Sequence, residues 1–172
     1  MCLNKEVALD DVIEILKEKL DSGGSVTFTP NGTSMEPMLR DGKDIVVLQK
    51  PKGRLHLFDV ALYRRDSGIY VLHRVLDFDK EGGYTMCGDN QFVREKGIRD
   101  DQIIAVLTAF HRKGKPYTVY SVRYRCYVNF WYYTRIPRHY YQASKSRFMK
   151  LFGITPKPKK KKEDYEYEYE YE

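Results

Sequence analysis

Residues 31–48 read Asn-Gly-Thr-Ser-Met-Glu-Pro-Met-Leu-Arg-Asp-Gly-Lys-Asp-Ile-Val-Val-Leu, a serine turn followed by a β-branched run. Because Pro37 has a fixed φ and disfavours helical geometry at Glu36, we expect a held turn around Ser34. A serine held in this way presents its hydroxyl in a fixed direction, as a nucleophile must. Serine beside glycine and proline is also common in ordinary turns, so this hypothesis requires a base elsewhere in the chain.

The candidate base lies in an apolar run of β type, residues 69–76, which is interrupted by His73 and Arg74. In an alternating strand His73 shares a face with Val71 and Val75. Burial on that face disfavours the imidazolium and keeps His73 a neutral proton acceptor near pH 7. The alternative is a core histidine that is hydrogen-bonded to backbone.

Three motifs follow one another in a recognisable order. Ser-Met-Glu-Pro at 34–37, Leu-His-Arg-Val at 72–75 and Gly-Asp-Asn at 88–90 resemble the superfamily of type I signal peptidases and LexA-like serine peptidases. The histidine makes the chain similar to the endoplasmic-reticulum and archaeal signal peptidases, because bacterial and LexA-type members carry lysine there. The resemblance covers roughly residues 25–110.

The resemblance implies Ser34 as nucleophile and His73 as general base. Glu95 stands six residues after the aspartate of the Gly-Asp-Asn box, where His-type signal peptidases have a second acid, so it is favoured as the group that orients the imidazole. Asp89 is the alternative, or it shapes the site by pairing with Arg74. Without the family, Asp89 is typical of a turn and Glu95 of a solvated surface.

The serine turn is also expected to bind the substrate and the oxyanion. The backbone N–H of Ser34 can supply one donor to the tetrahedral oxyanion. Signal peptidases commonly add a serine hydroxyl two residues earlier, whereas this chain has a glycine there, as in the LexA-like branch, so a second donor is missing. Thr33 points elsewhere on simple geometry. No metal or organic cofactor is expected, and the expected lining residues are Gly32, Thr33, Met35 and Pro37.

The fold predicted from the pattern is mainly β. About seven short strands without intervening helices favour a sandwich or barrel, and the resemblance implies a coiled β-fold of the signal peptidase/LexA-like kind. Residues 114–116 are expected to form the turn before the last strand. The expected strands are 25–29, 45–48, 59–65, 69–76, 84–87, 102–110 and 117–122.

Four segments are expected along the chain. Residues 1–24 form an N-terminal amphipathic helix, because apolar residues recur there at helical spacing. Residues 25–122 form the β peptidase domain, and residues 123–154 form a basic aromatic helical extension that Pro137 divides into two helices. Residues 155–172, Lys-rich and then alternating Tyr and Glu, are expected to be disordered.

The charge distribution indicates an anionic partner. Residues 102–162 contain fifteen Lys and Arg and no Asp or Glu. Residues 123–150 combine these cations with Tyr and Trp, which suits a segment lying on an anionic membrane surface. A helical cap with buried aromatics is the competing interpretation. Binding of single-stranded nucleic acid is the least favoured.

The expected location is cytoplasmic, peripheral at the membrane. Three cysteines without metal-like spacing suggest reduced thiols. The N-terminus has no apolar signal core, and a run of about 18 apolar residues that could span a membrane is absent.

The sequence therefore predicts a serine endopeptidase that cleaves a signal, leader or precursor peptide, with small residues before the cut as the resemblance suggests. The alternative is a non-catalytic, repressor-like regulatory or binding module on the same fold. The short N-terminal segment argues against it, because residues 1–24 leave no room for a helix-turn-helix.

Overall fold

The computed structural model describes residues 9–152, and the chain divides between Ser121 and Val122 into two compact units. The first unit contains one helix, eight strands and a short 3-10 turn, and the second contains two helices. The elements are α1 (Leu9–Asp21), β1 (Ser25–Phe28), β2 (Ile45–Gln49), β3 (Val60–Arg64), β4 (Tyr70–Phe78), β5 (Tyr84–Cys87), β6 (Glu95–Ile98), the 3-10 turn Asp100–Gln102, β7 (Ile103–Arg112), β8 (Lys115–Thr118), α2 (Val122–Tyr133) and α3 (Arg135–Leu151).

The strands form one antiparallel sheet in the order β1-β2-β7-β3-β4-β5-β6, with β8 also paired to β7. β7 is long enough to pair with β2 along one edge and with β3 and then β8 along the other. The prediction of a mainly β fold with an N-terminal helix and short C-terminal helices is confirmed.

One face of the β3–β6 region carries a hydrophobic core that includes Ala61, Tyr63, Val75, Tyr84 and Met86. These residues alternate along their strands, as the two-residue period of a half-buried strand requires. Burial of such side chains supplies most of the favourable free energy of folding. His73 lies on the same face, between the positions of Val71 and Val75, and so enters this core.

Local sequence signals form the expected turns. α1 ends at the glycine pair: Gly23 has a φ of 82°, and the N–H of Gly24 donates to the carbonyl of Lys19. This is the arrangement by which a left-handed glycine closes a helix. The Asp66-Ser67-Gly68 segment joins β3 to β4, with Gly68 at a φ of 88°, so this predicted hairpin is confirmed.

Two parts of the strand prediction are wrong. The turn before β8 lies at Lys113 and Gly114, which have φ values of 52° and 73°, and Pro116 belongs to β8 rather than to the turn. Two left-handed residues suit a tight hairpin, and Pro116 is tolerated because β8 pairs only with β7. The predicted strand 117–122 therefore ends at Thr118, and α2 begins at Val122.

β6 is the second difference. Its sequence, Glu-Lys-Gly-Ile, lacks the β-branched alternation that predicts a strand, and it pairs with β5 through an irregular register. The pairing is decided by tertiary contact rather than by intrinsic propensity.

In the second unit the chain turns from α2 into α3 at Thr134, three residues before Pro137. Proline is tolerated in a first helical turn, where its missing N–H has no intrahelical acceptor. Within residues 9–152 no helix is long and apolar enough to cross a membrane. The disorder predicted for residues 155–172 lies outside the described residues.

Candidate functional site

His73 is on β4, opposite Ala61 of β3, and only 1% of its surface is exposed. Burial lowers the pKa of His73 from 6.5 to about 4, because the charged ring is poorly solvated in the core. The Glu95 carboxylate opposes this shift, and the Arg65 guanidinium adds to it. The imidazole is therefore neutral at pH 7.

Two groups meet Nδ1 of His73. The phenol oxygen of Tyr63 lies 3.2 Å from Nδ1, and Oε1 of Glu95 lies 3.4 Å from it. Burial, with a further contribution from Glu95, raises the pKa of Tyr63, so its phenol stays protonated. That single proton is donated to Oε2 of Glu95, at 3.0 Å.

This arrangement decides the tautomer of the ring. Since the phenol proton of Tyr63 points to Glu95, both groups beside Nδ1 present oxygen acceptors to it. The proton of neutral His73 therefore sits on Nδ1, and Nε2 carries the lone pair. Nε2 forms no hydrogen bond with any residue in the described stretch 9–152.

Glu95 is held by Arg65. The Nε of Arg65 donates to Oε2 of Glu95 at 2.8 Å, and its Nη2 donates to Oε1. Burial by itself would raise the pKa of Glu95, but the hydrogen bonds from Arg65 and Tyr63 hold it below its usual value. The group beside the imidazole is thus an ionised carboxylate in a forked ion pair, whose geometry restricts its movement.

Ser34 lies in the turn after β1 and is half-buried. Its carbonyl accepts the N–H of Asn90 at 2.8 Å. A Cβ placed on Gly88 would stand 2.6 Å from the carbonyl oxygen of Ser34 and 3.1 Å from its Cβ. The serine turn therefore packs closely against Gly88 at the end of β5, where a larger residue would collide with it.

The strand register relates Ser34 to His73. Arg74 of β4 pairs with Cys87 of β5, so the antiparallel register, continued by one residue, places His73 opposite Gly88. Cross-strand partners direct their side chains to the same face, with Cβ atoms about 4.5–5.5 Å apart. Ser34 occupies the space into which a side chain at position 88 would point. It therefore lies on the face of the sheet that carries the imidazole. No hydrogen bond joins the Ser34 hydroxyl to His73, or to any other residue of the described stretch.

Asp89 occupies the opposite face of β4. It forms a buried ion pair with Arg74, with Nε to Oδ1 at 2.7 Å and Nη2 to Oδ2 at 2.8 Å, and each side chain is 3% exposed. Arg74 also donates to the carbonyl of Phe58 at 2.9 Å and contacts the sulfur of Met38 at 3.1 Å. Of the two candidate acids, Glu95 is the one placed at the imidazole, whereas Asp89 pairs with Arg74, the β4 residue that also contacts Met38.

The expected lining residues differ in what they can offer. The N–H of Gly32 donates to Oδ1 of Asp41 at 2.7 Å, so that amide is already used. Thr33 is exposed, and its carbonyl accepts the side-chain amide of Asn90 at 3.1 Å. Met35 is buried, and Pro37 is exposed after a cis Glu36–Pro37 bond. The N–H of Ser34 itself forms no hydrogen bond within residues 9–152, and is available to an incoming oxygen.

Four residues of the site were given no role of their own from the sequence: Tyr63, Arg65, and the Gly88 and Asn90 of the Gly-Asp-Asn motif. Alternation could have indicated the first two, because Tyr63 and Arg65, the residue after β3, follow Ala61 at steps of two, and Ala61 is the cross-strand partner of His73. Gly88 and Asn90 flank Asp89 in the Gly-Asp-Asn box. Gly88 acts by the space it leaves, and Asn90 holds the serine turn with both its backbone N–H and its side-chain amide.

Within the described residues no group of three or more His, Cys, Asp or Glu side chains could hold a metal ion. Comparison of the chain with protein-family models and with curated proteins finds no match. The site is therefore defined by its geometry: a buried neutral imidazole with Nε2 unprotonated, an ionised carboxylate behind it, and a serine on the same face of the sheet.

Proposed function

We propose that the protein is a serine endopeptidase in which Ser34 attacks a peptide carbonyl and His73 accepts the hydroxyl proton. The observation that supports it most is the arrangement at Nδ1, where Tyr63 and Glu95 fix the tautomer that leaves Nε2 as the proton acceptor. A serine hydroxyl needs such a base, and the base needs a group that holds its ring.

The steps follow from these positions. As the Ser34 oxygen bonds to the carbonyl carbon, its proton passes to Nε2, and the imidazolium is stabilised by the ionised Glu95 beside Nδ1. The N–H of Ser34 donates to the developing oxyanion. Collapse of the tetrahedral intermediate breaks the C–N bond, and Nε2 returns the proton to the leaving amine. A water molecule, activated in the same way, then releases the acyl group from Ser34.

Catalytic hydrogen bonds often tighten only when substrate binds, so we expect the Ser34 hydroxyl to reach Nε2 of His73 in the substrate complex. We place the substrate among signal, leader or precursor peptides, since the three motifs resemble those of signal peptidases. We place the protein in the cytoplasm, peripheral at a membrane, since neither Cys87 nor Cys126 is in a disulfide.

The test is cleavage of a peptide library, together with labelling by a fluorophosphonate probe, in Ser34→Ala and His73→Ala variants. We expect each change to lower cleavage by at least about a thousandfold, because the two groups act as a unit. Ser67→Ala and His111→Ala alter an exposed serine and an exposed histidine and serve as matched controls. Full activity of Ser34→Ala would exclude this nucleophile, and full activity of His73→Ala would exclude this base.

A non-catalytic binding module is the second candidate function, and the observation that favours it is the absence of a hydrogen bond from Ser34 to His73. It predicts that the folded protein is not labelled by the probe and cleaves no library peptide. Specific labelling of Ser34 that depends on His73 would reject it.

A further inference from the structure

The second unit exposes large apolar side chains that a soluble helix normally buries. Ile136, Tyr140, Phe148 and Phe152 are between 59% and 70% exposed, and the rings of Phe148 and Phe152 contact each other at 4.4 Å. The helical cap interpretation expected buried aromatics, and Tyr124 does fit it, at 9% exposed. The α3 residues do not fit it.

Ile136, Tyr140 and Phe148 share one side of α3, and Phe152, the residue after its last one, continues that side because its N–H donates to the carbonyl of Phe148. They are separated by four or eight residues, and each step of four turns about 40° around a helix, so they span somewhat less than half of its circumference. Large exposed apolar surface of this kind marks an interaction site. By helical position the same arc also contains Pro137, Tyr141, Ser144, Arg147 and Leu151, so it is mostly apolar and carries one cation near its edge.

The charge of this unit restricts the kind of partner. Residues 122–152 contain no Asp or Glu, and their seven basic residues are Arg123, Arg125, Arg135, Arg138, Lys145, Arg147 and Lys150. A second copy that docked through its own residues 122–152 would bring the same positive charge against them, which disfavours self-association by this face. An anionic surface is complementary.

We propose that α3 lies in the headgroup region of an anionic membrane, with Ile136, Tyr140 and Phe148 inserted among the acyl chains. A helix with an apolar face and a basic remainder binds in this way, parallel to the membrane plane. Single-stranded nucleic acid also attracts aromatics and cations, but stacking platforms sit in a groove that follows the backbone. The aliphatic Ile136 and the convex face of one helix fit lipid better.

A contact between Arg138 and Trp131 connects the two helices of the second unit. The guanidinium of Arg138 lies 3.4 Å from the centre of the Trp131 ring, and its Nη2 donates to the Trp131 carbonyl at 2.7 Å. This contact joins the first turn of α3 to the end of α2 and leaves the apolar face of α3 free of it.

The experiment is co-sedimentation of the full chain with vesicles of phosphatidylcholine alone, and with vesicles of phosphatidylcholine and phosphatidylglycerol in equal parts. We expect binding to the anionic vesicles at low salt and its decline at high salt. The triple variant Ile136→Asn, Tyr140→Asn, Phe148→Asn should bind at least about tenfold more weakly, because the inserted area is lost. Removing one exposed cation, Arg125→Gln, should weaken binding about fivefold.

The matched control is the triple variant Ile15→Asn, Ile69→Asn, Val93→Asn, which replaces three apolar residues of the first unit that are 56% to 80% exposed. It should bind like the wild type. Since all six side chains are exposed, neither variant should disturb folding.

Equal binding by the two triple variants would overturn the proposal. So would binding to single-stranded oligonucleotide in place of vesicles, or concentration-dependent dimers that the Ile136, Tyr140 and Phe148 changes abolish. The Ser34→Ala variant should bind vesicles normally, so failure of the peptidase proposal and failure of membrane binding are separate results.

Discussion

Gly88 leaves the space against which Ser34 packs: a Cβ at position 88 would stand 2.6 Å from the Ser34 carbonyl oxygen and 3.1 Å from the Ser34 Cβ. A contact of 2.6 Å is far inside ordinary van der Waals separation. The serine turn thus packs directly against the backbone at the end of β5. Because the next strand over carries His73, this close approach also sets how far the serine lies from the imidazole.

The first prediction is that Gly88→Ala displaces Ser34. Overpacking should lower the free energy of unfolding by about 1–3 kcal/mol, and shifting the hydroxyl should lower cleavage about a hundredfold. The measurements are urea unfolding and kcat/KM. Gly24→Ala is the matched control, since its Cβ would stand 2.8 Å from the Lys19 carbonyl oxygen, and the nearest atoms it meets all belong to Lys19. If Gly24→Ala impairs cleavage as much as Gly88→Ala, crowding of Ser34 is not the cause.

The second prediction concerns stability and pH. His73 has a folded-state pKa of about 4, below its usual 6.5, so the unfolded chain binds a proton that the native state excludes between those values. The stabilisation is complete above pH 6.5 and is lost as the pH falls towards 4, by roughly 3 kcal/mol. Urea unfolding of wild type and His73→Gln at pH 7 and pH 4 measures the difference.

The wild type should lose more stability on acidification than His73→Gln, by that amount. The carboxylates of Asp44 and Glu95, whose pKa values are lowered in the fold, also destabilise the protein at low pH, in both wild type and variant. The exposed His111→Gln serves as control and should follow the wild type. Parallel pH curves for wild type and His73→Gln would contradict the assigned burial.

The third prediction tests the charges around the base. The base must be neutral, so cleavage should fall below a pH of about 4 in the wild type. Glu95 raises the pKa of His73, so Glu95→Gln should move this acid limb to lower pH; Arg65 lowers it, so Arg65→Gln should move the limb to higher pH. The measurement is the pH profile of kcat/KM.

Glu95→Gln should also reduce kcat by about a hundred- to ten-thousandfold, because the imidazolium loses its counter-charge. Arg65→Gln should retain more activity, since Tyr63 still donates to the carboxylate. Shifts of the two acid limbs in the same direction would show that Glu95 does not face the base during turnover.

The fourth prediction separates Asp89 from Glu95. Asp89→Asn leaves the charge of Arg74 buried without its partner and should cost about 3–5 kcal/mol of stability. Replacing both, as Arg74→Met with Asp89→Leu, should recover much of that loss, because neither member of the pair then leaves a buried charge. The readout is the urea midpoint, with the pH profile of the residual activity.

The Asp89 charge also raises the pKa of His73, but by less than Glu95 does, so Asp89→Asn should move the acid limb of the folded fraction to lower pH by less than Glu95→Gln. A shift as large as that of Glu95→Gln would make Asp89, rather than Glu95, the group that orients the imidazole.

Much of the architecture could be predicted because its causes are local. Apolar spacing along α1, the left-handed glycines at positions 23 and 68, and the fixed φ of Pro137 act over a few residues of chain. The alternation around His73 likewise placed its side chain inside the sheet. β6 could not be predicted in this way, because Glu-Lys-Gly-Ile becomes a strand only through its pairing with β5.

The sequence by itself determined that a serine turn, a buried histidine and two candidate acids exist on this chain. Only the tertiary structure decided that Glu95 and not Asp89 meets the imidazole. It also decided that Tyr63 and Arg65 bind that carboxylate, and that Ser34 packs against Gly88. The reason is strand register: successive residues of a strand face opposite sides, so which acid reaches His73 depends on how β3, β4, β5 and β6 align. That alignment is a property of the folded sheet and is not encoded in any short stretch of sequence.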